Sequence, residues 1–263
     1  MPARNGDPEP VGRREFLRRA AFTAVGAAGT AIGLPRNAEA GRGGGAGGRT
    51  LTFGTANGLP VTWGVKVSSA KVGPGPNLFS DATGDVWTDA SGLHLTITKH
   101  GGQWWCTEVI GQSSLGYGTY RWTSASDVAG LDPSVVLGLF TWNDALDYAH
   151  REIDIEFAKW SDLSTGKNAQ YTVQPSDATH RRQFLQPAAA PTTHEFSWQP
   201  GRVDLGSADV AGTVIQQWYY EAADVPVPGG ENPRMNLWLF RGKAPASGNR
   251  LHVVLSNFVF TSG

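Results

Sequence analysis

In the run EIDIEF, Glu152, Asp154 and Glu156 alternate with Ile153, Ile155 and Phe157. Period two with β-branched residues predicts a β-strand, and on a strand residues two apart share a face. Three carboxyls therefore stand in one column that holds no Lys or Arg. Like charges so close destabilise a sheet, which points to a role other than stability. Three chemistries fit such a column: an outer strand face merely solvated, a calcium site, or a carboxyl pair flanking a sugar bond. Calcium loops are usually bent to surround the ion, and a straight strand is poorly shaped for that.

Glycoside hydrolysis needs two carboxyl groups at a set separation. The Cα atoms of Glu152 and Glu156 lie roughly 13 Å apart at strand spacing. Side chains that lean inward along the strand bring the carboxyls to about 6 to 7 Å, and a concave sheet would bring them closer. That distance falls between those of retaining and inverting enzymes, so spacing leaves the stereochemistry open. Asp154 stands between the two, where its charge would help keep one neighbour protonated near neutral pH.

Aromatic residues add to this reading. The chain has 10 Trp, and flat aromatic faces bind the apolar faces of sugar rings. Phe140 and Trp142 share parity on the strand before the acids, and RMNLWLF sets Trp238 beside Asn236. Core packing competes for each Trp taken singly, but ten are too many for the core alone.

The elements that must position these residues are short strands. VWTDASGLHLTIT, WWCTEVI, GYGTYRWTSA, SVVLGLFTW, AQYTVQP, THEFSWQ, VIQQWYYEA, MNLWLF and LHVVLSNFVF are separated by Gly, Pro, Asn and Asp. LDYAH is too short to count as a helix. The pattern predicts an all-β protein, an antiparallel β-sandwich, with one sheet offering its outer face to solvent or a ligand. A net charge of −1 gives no pull toward nucleic acid or an anionic membrane. Cys106 is the sole cysteine, which excludes an intramolecular disulfide and a cysteine-rich metal site.

Residues 1–40 resemble a twin-arginine signal peptide: Arg13 and Arg14 in GRREFLRR, then AAFTAVGAAGTAIGL, then AEA ending at Ala40. That route exports folded proteins, which suits a chain without disulfides. The apolar run is short and weak for a membrane span. Residues 41–49, GRGGGAGGR, read as a flexible linker, and 50–263 as one catalytic domain.

EIDIEF resembles the active-site strand of glycoside hydrolase family 16, whose pattern is E-x-D-x-E, in the branch that includes the bacterial lichenases. The resemblance extends to WCTEVIGQSSLGYGTYRW, THEFSWQPGRVDL and PRMNLWLF, in the family's order. It implies a concanavalin-like jelly roll with a glycan cleft on its concave face. It implies a retaining mechanism on β-glucans, with Glu152 as nucleophile, Glu156 as general acid/base and Asp154 setting their protonation. Glu108, Phe140, Trp142, Gln170, Asn236 and Trp238 fall where the family contacts sugar, with Asn77 as a further contact; Tyr117 is structural. The implied partner is a polysaccharide; the chain is expected to be a secreted monomer without nucleic-acid or membrane partner and without cofactor or catalytic metal, a structural calcium being left open.

The departures bear on substrate identity. Lichenases carry Trp-Asp directly before the first glutamate, where this chain has His150 and Arg151. They carry Arg where Ile110 stands and Asn where Thr172 stands, and Cys106 lacks the family's disulfide partner. Two other functions compete with hydrolysis: transfer of the glycosyl group to a second sugar, and glycan binding without catalysis. Products longer than the substrate mark the first. Retention of all three acids speaks against the second.

Overall fold

The protein's structure, a computed structural model, describes residues 46–263. The expected export segment at 1–40 and the start of the expected linker lie outside those residues. The end of the linker is strand instead: Ala46–Ala56 begins inside it and pairs with Leu59–Lys66. Arg49 fixes that end, donating to the carbonyls of Asp81 and Val86 at 2.7 Å each. A glycine-rich composition reads as linker, but pairing with a neighbouring strand overrides it.

The strands form two layers. In the first, the order across the sheet is Arg181–Phe184, Ala169–Val173, Ile153–Ala158, Val135–Trp142, Asn232–Leu239, Gln103–Gly111, Leu59–Lys66 and Ala46–Ala56. In the second it is Val214–Glu221, Arg202–Asp209, Thr192–Gln199, Gly118–Ser124, Leu251–Ser262, Gly92–His100 and Val86–Asp89. All these pairings are antiparallel. The layers join where Gly92–His100 turns into Gln103–Gly111, and where Ala46–Ala56 runs briefly parallel to Leu251–Ser262. This is the antiparallel sandwich that the strand pattern predicts, and the jelly roll that the family resemblance implies.

The core lies between the layers and is largely aromatic. Trp63, Trp122, Trp198, Tyr120, Phe196 and Phe258 are all fully buried there. Burial of such side chains from water stabilises by about 1.5–3 kcal/mol each. Trp87, Trp104, Trp105, Trp160 and Trp218 are only partly buried, so the core does take only some of the ten tryptophans. Tyr117 packs edge-on against Trp198 at 5.2 Å, a structural role as expected. Cys106 is a buried free thiol, and burial pushes its pKa up to about 12.

Ile153, Ile155 and Phe157 point into this core with no exposure. Their alternation with the acids therefore does set the orientation of the strand Ile153–Ala158. The acid face is not an open solvent face, however: Asp154 is 3% exposed and Glu156 9%.

Candidate active site

Register places the predicted residues on one face of the first layer. Residues directly paired in antiparallel strands point to the same side. Glu156 pairs with Gly138 on one side and Gln170 on the other, and the row continues through Asn236 to Glu108. Asp154 pairs with Phe140 and Thr172, and its row runs outward to Arg234 and Ile110 on one side and Arg181 on the other. Glu152 precedes the strand in extended conformation, and its carbonyl accepts from the Gln174 backbone at 3.1 Å. Seven sequence-predicted residues (Glu152, Asp154, Glu156, Phe140, Gln170, Asn236 and Glu108) thus lie in adjoining rows.

Glu156, Asp154 and Glu108 are each held by side chains of neighbouring strands. Gln170 Nε2 donates to Glu156 at 2.8 Å, and Gln174 Nε2 donates to Asp154 at 3.0 Å. Glu108 receives Lys66 Nζ at 3.0 Å, Arg234 Nη1 at 3.4 Å and Asn236 Nδ2 at 3.4 Å. Lys66 also donates to the Gly73 carbonyl at 2.8 Å, so Glu108 lies in a small cationic nest. The Asn236 Oδ1, the Thr172 hydroxyl and the Arg234 Nε are buried without a protein partner. Buried polar atoms without partners cost free energy, and a bound hydroxylated ligand would satisfy them.

Burial pushes the pKa of Glu152, Asp154 and Glu156 up, because a charge taken out of water is disfavoured. For Glu152 and Asp154 the negative neighbours push further in the same direction. Opposing this, Gln170 and then Arg181 act on Glu156, while a hydrogen bond with Asp154 and then Arg234 act on Glu152. Near neutral pH the three carboxyls therefore hold fewer than three charges between them.

The aromatic contacts differ in part from expectation. Trp142 is 3% exposed, with the His150 ring stacked on it at 3.9 Å and 13° and the Arg234 guanidinium 5.9 Å from its centroid. An open sugar-stacking face at Trp142 is therefore corrected to a Trp142–His150 stack. Trp238, 4% exposed, packs edge-on to Trp160 at 6.3 Å at the other end of the acid strand. Asn77 spends its amide donors on the carbonyls of Pro74 (2.7 Å) and Leu239 (2.9 Å). It clasps the turn before it to the end of the strand Asn232–Leu239, which corrects its expected role as a sugar contact.

His150 owes its place to a strained segment. Tyr148, Ala149, His150 and Arg151 all have positive φ, from 49° to 68°, a single left-handed turn. Such backbone costs about 1–2 kcal/mol per non-glycine residue. Local bonds hold it: Asn143 N–H donates to the His150 carbonyl at 2.7 Å and Thr141 Oγ1 to the Arg151 carbonyl at 2.8 Å. His150 Nδ1 donates to the Asn143 carbonyl at 2.9 Å, and this leaves Nε2 for another partner. Strain of this kind clusters at functional sites, and here it adjoins Glu152. LDYAH is therefore neither α-helix nor ordinary loop.

Arg234, Arg181, Gln174, Lys66 and Trp160 also belong to the site and are not assigned contacts by the sequence, whereas His150 stands where lichenases carry a cleft-lining Trp. Arg234 shares parity with Asn236 and Trp238, and Gln174 with Gln170, a signal that period two alone supplies.

No protein-family model matches the chain, and no curated protein does. Solved structures do match in fold. A β-glucanase from Bacillus licheniformis is 20% identical, over 76% of this chain and 92% of its own, with a TM-score of 0.57. A prokaryotic β-1,3-1,4-glucanase (lichenase) from a mouse hindgut metagenome is 17% identical, over 81% and 99%, with a TM-score of 0.56. A family 16 endo-glucanase from Bacteroides ovatus is 12% identical, over 74% and 92%, with a TM-score of 0.54. At these identities the likeness is one of fold: this chain has the lichenase-like jelly-roll fold of glycoside hydrolase family 16.

Proposed function

We propose that this protein is a secreted, retaining endo-β-glycosidase that hydrolyses β-glucan-type polysaccharides through a glycosyl-enzyme intermediate. The observation that carries the reading is the set of adjoining rows: three carboxyls in a column, flanked by Gln170, Asn236 and Phe140 on the same face. Binding alone has no use for a column of carboxyls that repel each other. The glucanases that share the fold support the substrate class. Arg13, Arg14 and the small residues ending at Ala40 support export by the twin-arginine route. The enzyme would act as a monomer.

In this mechanism the Glu152 carboxylate attacks the anomeric carbon while Glu156 gives its proton to the departing glycosidic oxygen. Glu156, now ionised, takes a proton from water, whose oxygen attacks the same carbon and frees Glu152. Gln170 orients Glu156 through both steps, and Gln174 holds Asp154 between the two glutamates. Water thus replaces the leaving sugar with the anomeric configuration kept. The assignment of the two glutamates comes from the family resemblance; their spacing is compatible with either order.

The test is digestion of mixed-linkage β-glucan by wild-type protein. Products followed by size and by proton NMR should be internal fragments whose reducing ends first appear as β anomers. First appearance of α anomers would overturn retention, and no cleavage across a panel of β-glucans would overturn the function.

A further inference from the structure

Two segments bracket Glu152, and a third ties both of them down. Residues 143–151 precede it; there Arg151 Nε donates to the Val227 carbonyl at 2.8 Å and Asn143 Nδ2 to the Gly229 carbonyl at 2.7 Å. Beside it starts the loop 174–180. The Gln174 N–H reaches the Glu152 carbonyl at 3.1 Å, and the Gln174 side chain reaches Asp154 at 3.0 Å. Val227 and Gly229 belong to 222–231, the connection from Val214–Glu221 in the second layer to Asn232–Leu239 in the first. That connection meets the loop 174–180 through an ion pair, with His180 Nε2 at 3.0 Å from Asp224 Oδ2. One connection thus braces the chain on both sides of Glu152.

The half-buried His180 ring meets acceptors at both nitrogens. Nδ1 lies 2.8 Å from Asp177 Oδ1 and 3.0 Å from Thr179 Oγ1. The Thr179 hydroxyl spends its hydrogen on Asp177 at 2.7 Å, so its oxygen can only accept from the ring. Nε2 faces a carboxylate whose other oxygen receives the Tyr220 hydroxyl at 2.6 Å. The Tyr220 ring packs on the imidazole at 4.9 Å, while Arg181, next in the chain, acts on Glu156 instead. A neutral imidazole has one N–H and the imidazolium two, so this set of bonds is complete only when His180 is charged. Partial burial lowers the His180 pKa, but the bonds to Asp224 and then Asp177 outweigh it, and the net shift is upward. Both carboxylates are exposed, so the pairs add little to overall stability. Their effect is local, on where two loops sit.

We propose that His180 is a positioning residue and a proton-operated latch: as the imidazolium it fastens 222–231 to the loop 174–180 and so sets Gln174 against Glu152 and Asp154. Below its titration midpoint the latch is shut. As pH rises through the midpoint the ring gives up one N–H, one carboxylate loses its partner, and the two loops loosen. The consequence for turnover rests on the glycosidase reading above, in which Glu152 attacks and Asp154 stands between the glutamates.

Two measurements need no turnover. Nitrogen NMR of the imidazoles, assigned by comparison with His180→Gln, should show both His180 nitrogens protonated at pH 6. The midpoint should fall by about one unit in Asp224→Asn, which removes one of the two charges. Backbone hydrogen exchange, corrected for the intrinsic effect of pH, should quicken several-fold in 174–181 and 222–231 as wild type passes through the midpoint. In His180→Gln and Asp224→Asn those segments should already exchange faster than wild type at pH 6. If His180→Gln does not fold, as judged by circular dichroism, the exposed change Asp224→Asn still decides. Exchange in the folded variants equal to wild type, or wild-type exchange unmoved through the midpoint, overturns the latch. On β-glucan, the ratio of His180→Gln to wild-type kcat should be lowest at pH 6 and approach one above the midpoint, with KM little changed. A ratio independent of pH overturns the positioning role. A wild type inactive on every β-glucan overturns the glycosidase reading instead, while exchange still reports on the latch.

Discussion

Gly138 stands directly opposite Glu156 in the paired strands, and a Cβ placed on it would come within 2.5 Å of the Asn236 Oδ1. The missing side chain keeps the floor of the site low between Glu156, the proposed general acid/base, and an amide whose oxygen is unpartnered. Gly138→Ala should therefore displace Asn236 and crowd the sugar beside Glu156. Because the nearest atom is the end of a side chain, the fold should survive, at a cost of about 1–3 kcal/mol for overpacking. KM should rise and kcat fall on β-glucan while circular dichroism is unchanged. Wild-type kinetics in a folded Gly138→Ala protein would show that no sugar passes over this row.

The half-buried Glu152 and the buried Asp154 and Glu156 give stability a definite dependence on pH. Burial and repulsion push Glu152 from its usual 4.5 up to about 8, and Glu156 and Asp154 are pushed in the same direction. Between 4.5 and about 8 the folded chain thus binds protons at these groups that the unfolded chain has released. Their contribution is fully present below the unfolded pKa and is lost as pH rises through the folded one. Glu152→Gln removes that liability. It should be more stable than wild type at pH 8 by on the order of 1–2 kcal/mol, with the advantage shrinking toward pH 4. Melting curves of both proteins across that range check this, and an advantage independent of pH would contradict it.

Trp142 and His150 form one unit, stacked at 3.9 Å and held by the strained turn at Tyr148–Arg151. If the sugar meets this pair through the imidazole, Trp142 acts mainly by supporting His150. Trp142→Ala and His150→Ala should each weaken substrate binding by about 1 kcal/mol. The double variant should lose little more than either single one, a coupling of about 0.5–1.5 kcal/mol. Additive losses in KM would mean that the two rings touch the substrate independently.

Period two makes the face of a strand readable, and it therefore yields the acid column and the parity of Phe140 from sequence, while Gln170, Asn236 and Glu108 come from the family resemblance. What sequence does not give is register between distant strands. The bonds of Gln174 to Asp154 and of Lys66 to Glu108, and the rows that carry Arg234 and Arg181, all depend on it. Asn77 shows the reverse error, a polar residue near a motif whose amide is consumed by two local carbonyls. The first hairpin is legible in principle. Asn57-Gly58 takes positive φ at both residues, 50° and 82°, the turn that an Asn-Gly pair favours. The nearby Gly54 and Pro60 make the same stretch look like loop. His150 was readable only as a departure, because no local pattern announces four consecutive left-handed residues.

The order of the two glutamates, which spacing leaves open, can be separated by product stereochemistry. Glu152→Ala removes the covalent step and leaves room beside the anomeric carbon. Azide can enter that space and attack a β-glycoside with a good leaving group, while Glu156 assists departure. The expected product is the α-glycosyl azide, of inverted configuration. Glu156→Ala behaves differently: a good leaving group departs with little acid help, so the glycosyl-enzyme forms on Glu152 and then waits for a base. Azide intercepts it and gives the β-glycosyl azide by net retention. Proton NMR of the anomeric signal distinguishes the two products. The β product from Glu152→Ala together with the α product from Glu156→Ala would exchange the roles. Gln170, which donates to Glu156 at 2.8 Å, would then orient the nucleophile.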